Sequence, residues 1–199
     1  MKIAVIGATG TVGRAVCAEL QARHEIIDIG ATRGTHRVDL LDVDSIKRLF
    51  DTIGHVDAIV ATAGHVHFGE LVKMTPAQFR VGLDDKLMGQ VNLVLTARDY
   101  LNDGGSFTLT SGIVGAEPIR LGASAAAVNG AIEGFVRGAA IEAKNGVRVN
   151  LVSPPWVTET LKKFGMTSDR HLPAAHVARA YVASVEGRQR GEILDPARF

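Results

Sequence analysis

The sequence has little of several things, and each scarcity excludes something. Its one cysteine, Cys17, cannot close an intramolecular disulfide; a reducing, cytoplasmic setting fits best. It lacks an excess of charge of either sign: 22 Lys and Arg stand against 21 Asp and Glu, for a formal net charge of +1. That balance gives no electrostatic case for nucleic acid or an anionic membrane as partner. No apolar run approaches the ~18 residues of a spanning helix. The opening Met1-Lys2-Ile3-Ala4-Val5-Ile6-Gly7 carries one charge and a very short apolar run before a glycine. It reads as a buried strand, not a signal peptide. Aromatics make up 5% of the chain, with one tryptophan and two tyrosines, so few positions could supply a phenolic acid. What remains is ordinary globular composition, 46% hydrophobic and 22% charged over 199 residues. Disorder, collagen-like repeats and coiled coil are excluded, and the length suits one domain with a real core.

Short β-branched runs alternate with helical stretches. Strands are predicted at Lys2–Ile6, Glu25–Ile29, Val56–Ala61, Ser106–Thr110, Arg148–Val152 and Glu192–Leu194, with a weaker one at His36–Val38. Several are almost wholly apolar, as expected where helices cover both faces of a parallel sheet. Helices are predicted near Thr11–Ala22, Asp44–Thr52, Pro76–Leu101, Gly122–Lys144 and Pro173–Val185. Asp42 and Asp44 offer caps, and Thr75-Pro76 reads as an N-cap followed by proline at the first helical position. Gly82, Gly89 and the polar Asp84-Asp85-Lys86 should bend the long Pro76–Leu101 stretch. The order implies an α/β fold: a three-layer, Rossmann-like, doubly wound parallel sheet in a single domain over residues 1–199.

Gly7-Ala8-Thr9-Gly10-Thr11-Val12-Gly13 follows the first strand and opens the first helix with G-x-x-G-x-x-G spacing. Glycines permit a tight turn and close backbone approach to a pyrophosphate, which the helix N-terminus then attracts. No Gly-Lys-Ser/Thr is present, so a triphosphate P-loop is excluded. A turn that only packs strand on helix is the alternative.

Five segments in order resemble the short-chain dehydrogenase/reductase family. Beside the glycine turn these are Ala61-Thr62-Ala63-Gly64, Phe79 through Gly89, Thr110-Ser111-Gly112, Arg148-Val149-Asn150-Leu151-Val152-Ser153-Pro154 and Gly191-Glu192-Ile193-Leu194-Asp195. The resemblance implies a nicotinamide cofactor. Gly7, Thr9, Gly10, Thr11, Val12 and Gly13 would hold its pyrophosphate. Asp39 and Leu40 would stand at the adenine, and Ala63 and Gly64 along the crevice. Pro154 and Val157 belong to the loop whose backbone meets the nicotinamide carboxamide. An acidic residue at the tip of the second strand would favour NAD, a basic one NADP. Asp28 lies inside that strand and Arg33 lies in the following loop, with Arg14 after the glycine turn. NADP(H) is therefore favoured over NAD(H), because arginine pairs a phosphate with two hydrogen bonds.

The resemblance also implies a catalytic Asn, Ser, Tyr and Lys, the last two spaced Tyr-x-x-x-Lys. This sequence departs there. Ser124-Ala125-Ala126-Ala127-Val128-Asn129-Gly130 places Ala125 at the lysine and Leu121 at the tyrosine. Neither Tyr100 nor Tyr181 can be slid into place. Lys86 falls at the asparagine position. In a partly dry crevice beside other cations its pKa would be lowered. It could then hold the ribose, polarise a carbonyl or donate a proton; a solvent-facing lysine beside Asp84 and Asp85 is the alternative. Ser111 is the candidate to hydrogen-bond the substrate oxygen, with Gly112 one residue away in register and Thr110 in reserve. His65 and His67 could supply an acid near neutrality, but no Cys, His or carboxylate cluster joins them for a metal.

Two functions stay open. One is an NADP(H)-dependent oxidoreductase acting on a small carbonyl or alcohol, with Ser111 and Lys86 as catalytic residues. The other is a dinucleotide-binding module, catalytically impaired and regulatory. Residues 158–172 form a short substrate lid. Gly82, Gly89, Gly122, Ala126, Gly130, Gly134 and Gly138 on the two long helices, with the resemblance, imply a homodimer or homotetramer.

Overall fold

The apolar runs pair side by side in the computed structural model, which describes residues 1–199. In chain order the elements are β1 (Lys2–Ile6), α1 (Thr11–Leu20), β2 (Glu25–Gly30), β3 (His36–Arg37), α2 (Val43–Ile53) and β4 (Val56–Ala61). Then follow α3 (Pro76–Gly82), α4 (Gly89–Ala97), β5 (Leu101–Thr110), α5 (Ala123–Glu142) and β6 (Arg148–Val152). The chain ends with β7 (Trp156–Val157), α6 (Thr158–Phe164), β8 (His171–Leu172), α7 (Ala174–Glu186) and β9 (Ile193–Leu194). Seven strands form one sheet in the order β3-β2-β1-β4-β5-β6-β9, and every pair is parallel. The order reverses between β1 and β4, so a crevice opens above their C-terminal ends.

Two apolar layers flank the sheet, as the unbroken strands require. On one side α2, α4 and α5 bury Ile46, Phe50, Leu93, Val128 and Ile132. On the other α1 and α7 bury Val16, Leu20, Val177 and Tyr181. Local chemistry sets several helix ends. The Asp42 carboxylate accepts from Asp44 N at 2.9 Å and starts α2. Thr75 and Gln78 close a reciprocal capping box across Pro76, the first residue of α3.

The stretch Pro76–Leu101, read as one bent helix, is instead four pieces. A π-helical segment over Leu83–Met88 joins α3 to α4, and a 3₁₀ turn over Arg98–Tyr100 ends it. The wide turn falls where Asp84, Asp85 and Lys86 interrupt the apolar pattern. β5 starts earlier than expected, at Leu101, because Asn102-Asp103-Gly104-Gly105 follows the strand path with a register shift between Val56 and Ala58. The two-stranded β7-β8 sheet and α6 had no clear sequence signal.

The small residues of the long helices divide. A Cβ on Gly82 would meet Val128 and Val66, one on Gly89 would meet Leu40, and one on Gly122 would meet Ile119 and Val114. These glycines serve internal packing, which corrects their assignment to a subunit face. A Cβ on Gly130, Gly134 or Gly138 would meet open space.

Candidate active site

The crevice begins at the glycine turn. Gly7 sits at φ +84°, and Gly7 N and Ala8 N both donate to Ile29 O, at 2.8 and 3.1 Å. A Cβ on Gly13 would lie 2.1 Å from Gly7 O, so only glycine lets α1 close on the strand end. Gly10 is the N-cap of α1 and offers no side chain. The first-turn N–H groups, beginning at Thr11 and Val12, thus have no side-chain partner, which suits an anion. Thr9 is half-buried, and its carbonyl accepts from Arg14 Nη1 at 2.6 Å.

Beyond β2 the second candidate region is held by Asp28. Its carboxylate accepts from Thr35 N at 2.9 Å and from the Thr35 hydroxyl. The Thr35 hydroxyl bond is the main reason its pKa falls below the ordinary carboxylate value. Asp28 is thereby committed to the β2–β3 loop, and no carboxylate stands at the strand tip. Arg33 is exposed there and makes no ion pair. Asp39 is occupied by its own turn, its Oδ1 accepting from Leu41 N at 2.9 Å. Leu40 is half-buried, and its carbonyl accepts from Asn92 Nδ2 at 3.1 Å.

Further along lies a cleft of about 170 Å³ at the ends of β5 and β6, lined by Lys86, Ser111, Gly112, Asn129, Pro154, Pro155, Trp156 and Val157 among others. Ser111 follows β5, and its N–H donates to Val152 O at 3.0 Å. Its Oγ is buried and has no partner. Lys86 projects from the π-helical segment and donates from Nζ to Ser111 O at 2.7 Å and Asn129 Oδ1 at 2.8 Å. Lys86 therefore does not face solvent. Burial pulls its pKa down to about 8. Cationic neighbours, expected as a further cause, contribute nothing. Gly64, at φ +132°, makes the approach possible: a Cβ there would meet Lys86 Cγ at 2.6 Å and Lys86 Cα at 2.9 Å.

Other candidates are placed elsewhere. Ala63 is half-buried beside Gly64 and packs on the core. Pro154 keeps its carbonyl engaged with Ile113 N at 2.9 Å. Trp156 stacks near Phe68, ring centroids 5.8 Å apart, at the cleft wall. Thr110 is turned away, its hydroxyl against Ala61 O at 2.5 Å and Tyr181 Oη at 2.6 Å. Its place in reserve falls, as period-two alternation requires. His65 is exposed and pairs with Asp85 at 2.7 Å, and neither it nor His67 lines the cleft. Of the two positions without the expected side chains, Ala125 lines the cleft, while Leu121 is exposed at φ +65° before α5. Tyr181 is fully buried on the sheet-facing side of α7, and Tyr100 Oη reaches Asp51 Oδ1 at 2.5 Å on the surface. Asn129 went unnoticed in the sequence. Its signal was its place one helical turn after Ala125, on the same face of α5.

A protein-family model described as Enoyl-(Acyl carrier protein) reductase matches residues 11–189. The chain is similar to a short-chain dehydrogenase/reductase of Pestalotiopsis microspora, 30% identical over 136 residues, which are 65% of this chain and 51% of that one. It is similar to versicolorin reductase of Emericella nidulans, 28% identical over 144 residues, 67% of this chain and 54% of that one. The chain thus spans about half the length of these curated relatives. A crystal structure of a Listeria innocua protein superposes with a TM-score of 0.94 at 46% identity, covering 98% of both chains. A small-chain dehydrogenase crystallised in complex with NADPH superposes with a TM-score of 0.87 at 27% identity, covering 98% of this chain and 95% of that one.

Proposed function

The chain belongs to the short-chain dehydrogenase/reductase family of oxidoreductases, and from this we propose that it moves hydride between NADP(H) and a small carbonyl or alcohol substrate. The observation that carries this reading is the buried, unpartnered Ser111 Oγ in the same cleft as Lys86. A buried hydroxyl without a partner costs about 1–3 kcal/mol, and a substrate oxygen would remove that cost. Gly7, Thr9, Gly10, Thr11, Val12 and Gly13 would cradle the pyrophosphate. Asp39 and Leu40 would flank the adenine, Ala63 and Gly64 the middle of the crevice, and Pro154 and Val157 the nicotinamide end. When bound, NADPH supplies the hydride. As negative charge gathers on the carbonyl oxygen, Ser111 donates a hydrogen bond and Lys86 a proton. Residues 158–172, with α6 and β8, act as a short lid.

The preference for NADP(H) is supported by the strand tip, where the acid is absent and the Arg33 guanidinium is exposed and unpaired. Energy transfer from Trp156 to the reduced cofactor reports binding. Arg33→Ala is expected to weaken NADPH about tenfold or more, on the order of 1.5–3 kcal/mol for a bond to a charged group, and to leave NADH unchanged. Equal affinities before and after the substitution would remove Arg33 from the site.

A second reading, a dinucleotide-binding regulatory module without turnover, is favoured by Leu121 and Ala125, which leave the cleft without a phenol. Tight NADPH binding with no reduction across a panel of aldehydes, ketones and quinones would select it. Under either reading the exposed stripe Ala123, Ala127, Gly130, Gly134, Gly138 and Ile141 on α5 meets a second copy of the chain. Ile141 is 83% exposed. Gly134→Arg should then halve the mass seen in sedimentation; a monomeric native protein would refute the assembly. No helix is long and apolar enough to cross a membrane.

A further inference from the structure

Lys86 is a cation in a cleft that offers it no anion. Its ammonium has three donors, and the two protein acceptors it reaches are neutral, Ser111 O and Asn129 Oδ1. The elements packed around it bring no carboxylate. On its own segment Asp84 is exposed and Asp85 is turned to His65. The segment after β4 contributes His65, the half-buried His67 and the exposed pair Glu70 and Lys73, which bond each other at 2.8 Å. From α5 the nearest acid is Glu133, which pairs with Arg137 at 3.6 Å. The loop carrying Pro154, Pro155 and Trp156 has no ionisable group.

Asn129 is built into this place. It is 4% exposed. A Cβ on Gly115 would lie 2.9 Å from Asn129 Cβ, and one on Gly112 would lie 3.2 Å from Asn129 Nδ2. Two glycines thus give the amide its room beside Lys86. An aspartate has the same shape and would make an ion pair with Lys86, stronger than the amide's bond. The amide forgoes that strength.

We propose that Asn129 is the positioning residue for Lys86: it fixes the ammonium on the cleft floor, and its neutrality leaves that ammonium able to give up its proton. The proposal deepens the oxidoreductase reading and rests on it for its catalytic meaning. The third Lys86 donor, free of any protein acceptor, is the one available to a substrate oxygen. Burial pulls Lys86 toward the neutral amine, while the Asn129 bond keeps the charged form from being lost altogether.

The test follows Lys86 directly, by NMR titration of lysine Cε resonances in ¹³C-labelled protein, assigned by the peak lost in Lys86→Gln. Lys86 should titrate well below the other lysines. In Asn129→Asp its midpoint should rise by about 1–3 units, the effect of an opposite charge in contact. In Asn129→Ser, which keeps a neutral acceptor, it should stay near the native value, and in Asn129→Ala it should fall further. Where turnover is measurable, the alkaline fall of the reduction rate should move upward with the midpoint in Asn129→Asp, against an unchanged KM for NADPH. A native-like Asn129→Asp with an unmoved Lys86 midpoint overturns the proposal. If that variant does not fold, an unmoved midpoint in Asn129→Ala does so. Should the midpoint move while no carbonyl is ever reduced, the oxidoreductase reading fails and the assignment of Asn129 stands.

Discussion

Replacing Lys86 by methionine is expected to lower the rate of carbonyl reduction by about 10²–10⁴-fold, the usual worth of a positioned proton donor, and to leave the fold no less stable at pH 7. The second half of that expectation separates a catalytic lysine from a structural one. Burial of the Lys86 ammonium brings its pKa from 10.5 to about 8. The sign follows from proton counts. The unfolded chain keeps this proton up to about pH 10.5, and the folded chain releases it near pH 8. Between those values the unfolded state binds more protons, so folding gains stability as pH rises through the window. Below about pH 8 the buried charge is a burden, on the order of 3 kcal/mol at 1.36 kcal/mol per unit. Methionine, of similar length, removes the charge at the expense of two hydrogen bonds to neutral acceptors. A thermal melt at pH 7 should show an unchanged or higher midpoint, with the difference shrinking toward pH 10. A melt that drops sharply while activity survives would make Lys86 a structural lysine. For the native protein the reductive rate should fall as pH rises through about 8, and the oxidative rate should fall as pH drops below it, because each direction needs the opposite form of Lys86.

Most of the fold was legible because parallel strands buried on both faces leave near-continuous apolar runs. Lys2–Ile6, Val56–Ala61 and Arg148–Val152 occupy the positions read from sequence. The edges were less legible. β3 and β9 are two residues each, and β7 and β8 pair only with each other, so their residues carry little periodic signal. Asn102-Asp103-Gly104-Gly105 has turn composition and bulges from the ladder between the Leu101 and Ser106 pairs, which keep β5 continuous across it. At the site, position along the chain located Lys86 and Ser111. It did not show that Gly64 exists to admit Lys86, nor that Asn129 would receive it. Both facts depend on contacts between elements far apart in sequence. The pKa argument also needed the structure. The sequence offered a partly dry crevice and nearby cations together; burial alone acts, and its extent depends on what the cleft walls cover.

Gly13→Ala is expected to destabilise the protein by about 1–3 kcal/mol, as overpacking does, and to abolish cofactor binding. Its new Cβ would lie 2.1 Å from Gly7 O, 2.7 Å from Gly7 C and 2.8 Å from Ala8 Cα. All three are backbone atoms, so no rotamer change relieves the contact. Either α1 shifts along its axis or the Gly7–Thr9 turn opens. Both movements strain the Gly7 and Ala8 bonds to Ile29 O that anchor the turn to β2. For a chain of this size the loss lowers the melting midpoint by roughly 2–4 °C per kcal/mol. Gly10→Ala is the informative partner. Gly10 is exposed at φ −78°, and its only close neighbour would be Gly7 O at 3.1 Å. Its melt should stay close to native, because alanine adopts that backbone without strain. If Gly10→Ala nonetheless weakens NADPH binding, the turn is a ligand cradle. If it melts and binds like the native protein while Gly13→Ala only melts earlier, the glycines serve the packing of α1 on the sheet, and the pyrophosphate assignment is wrong.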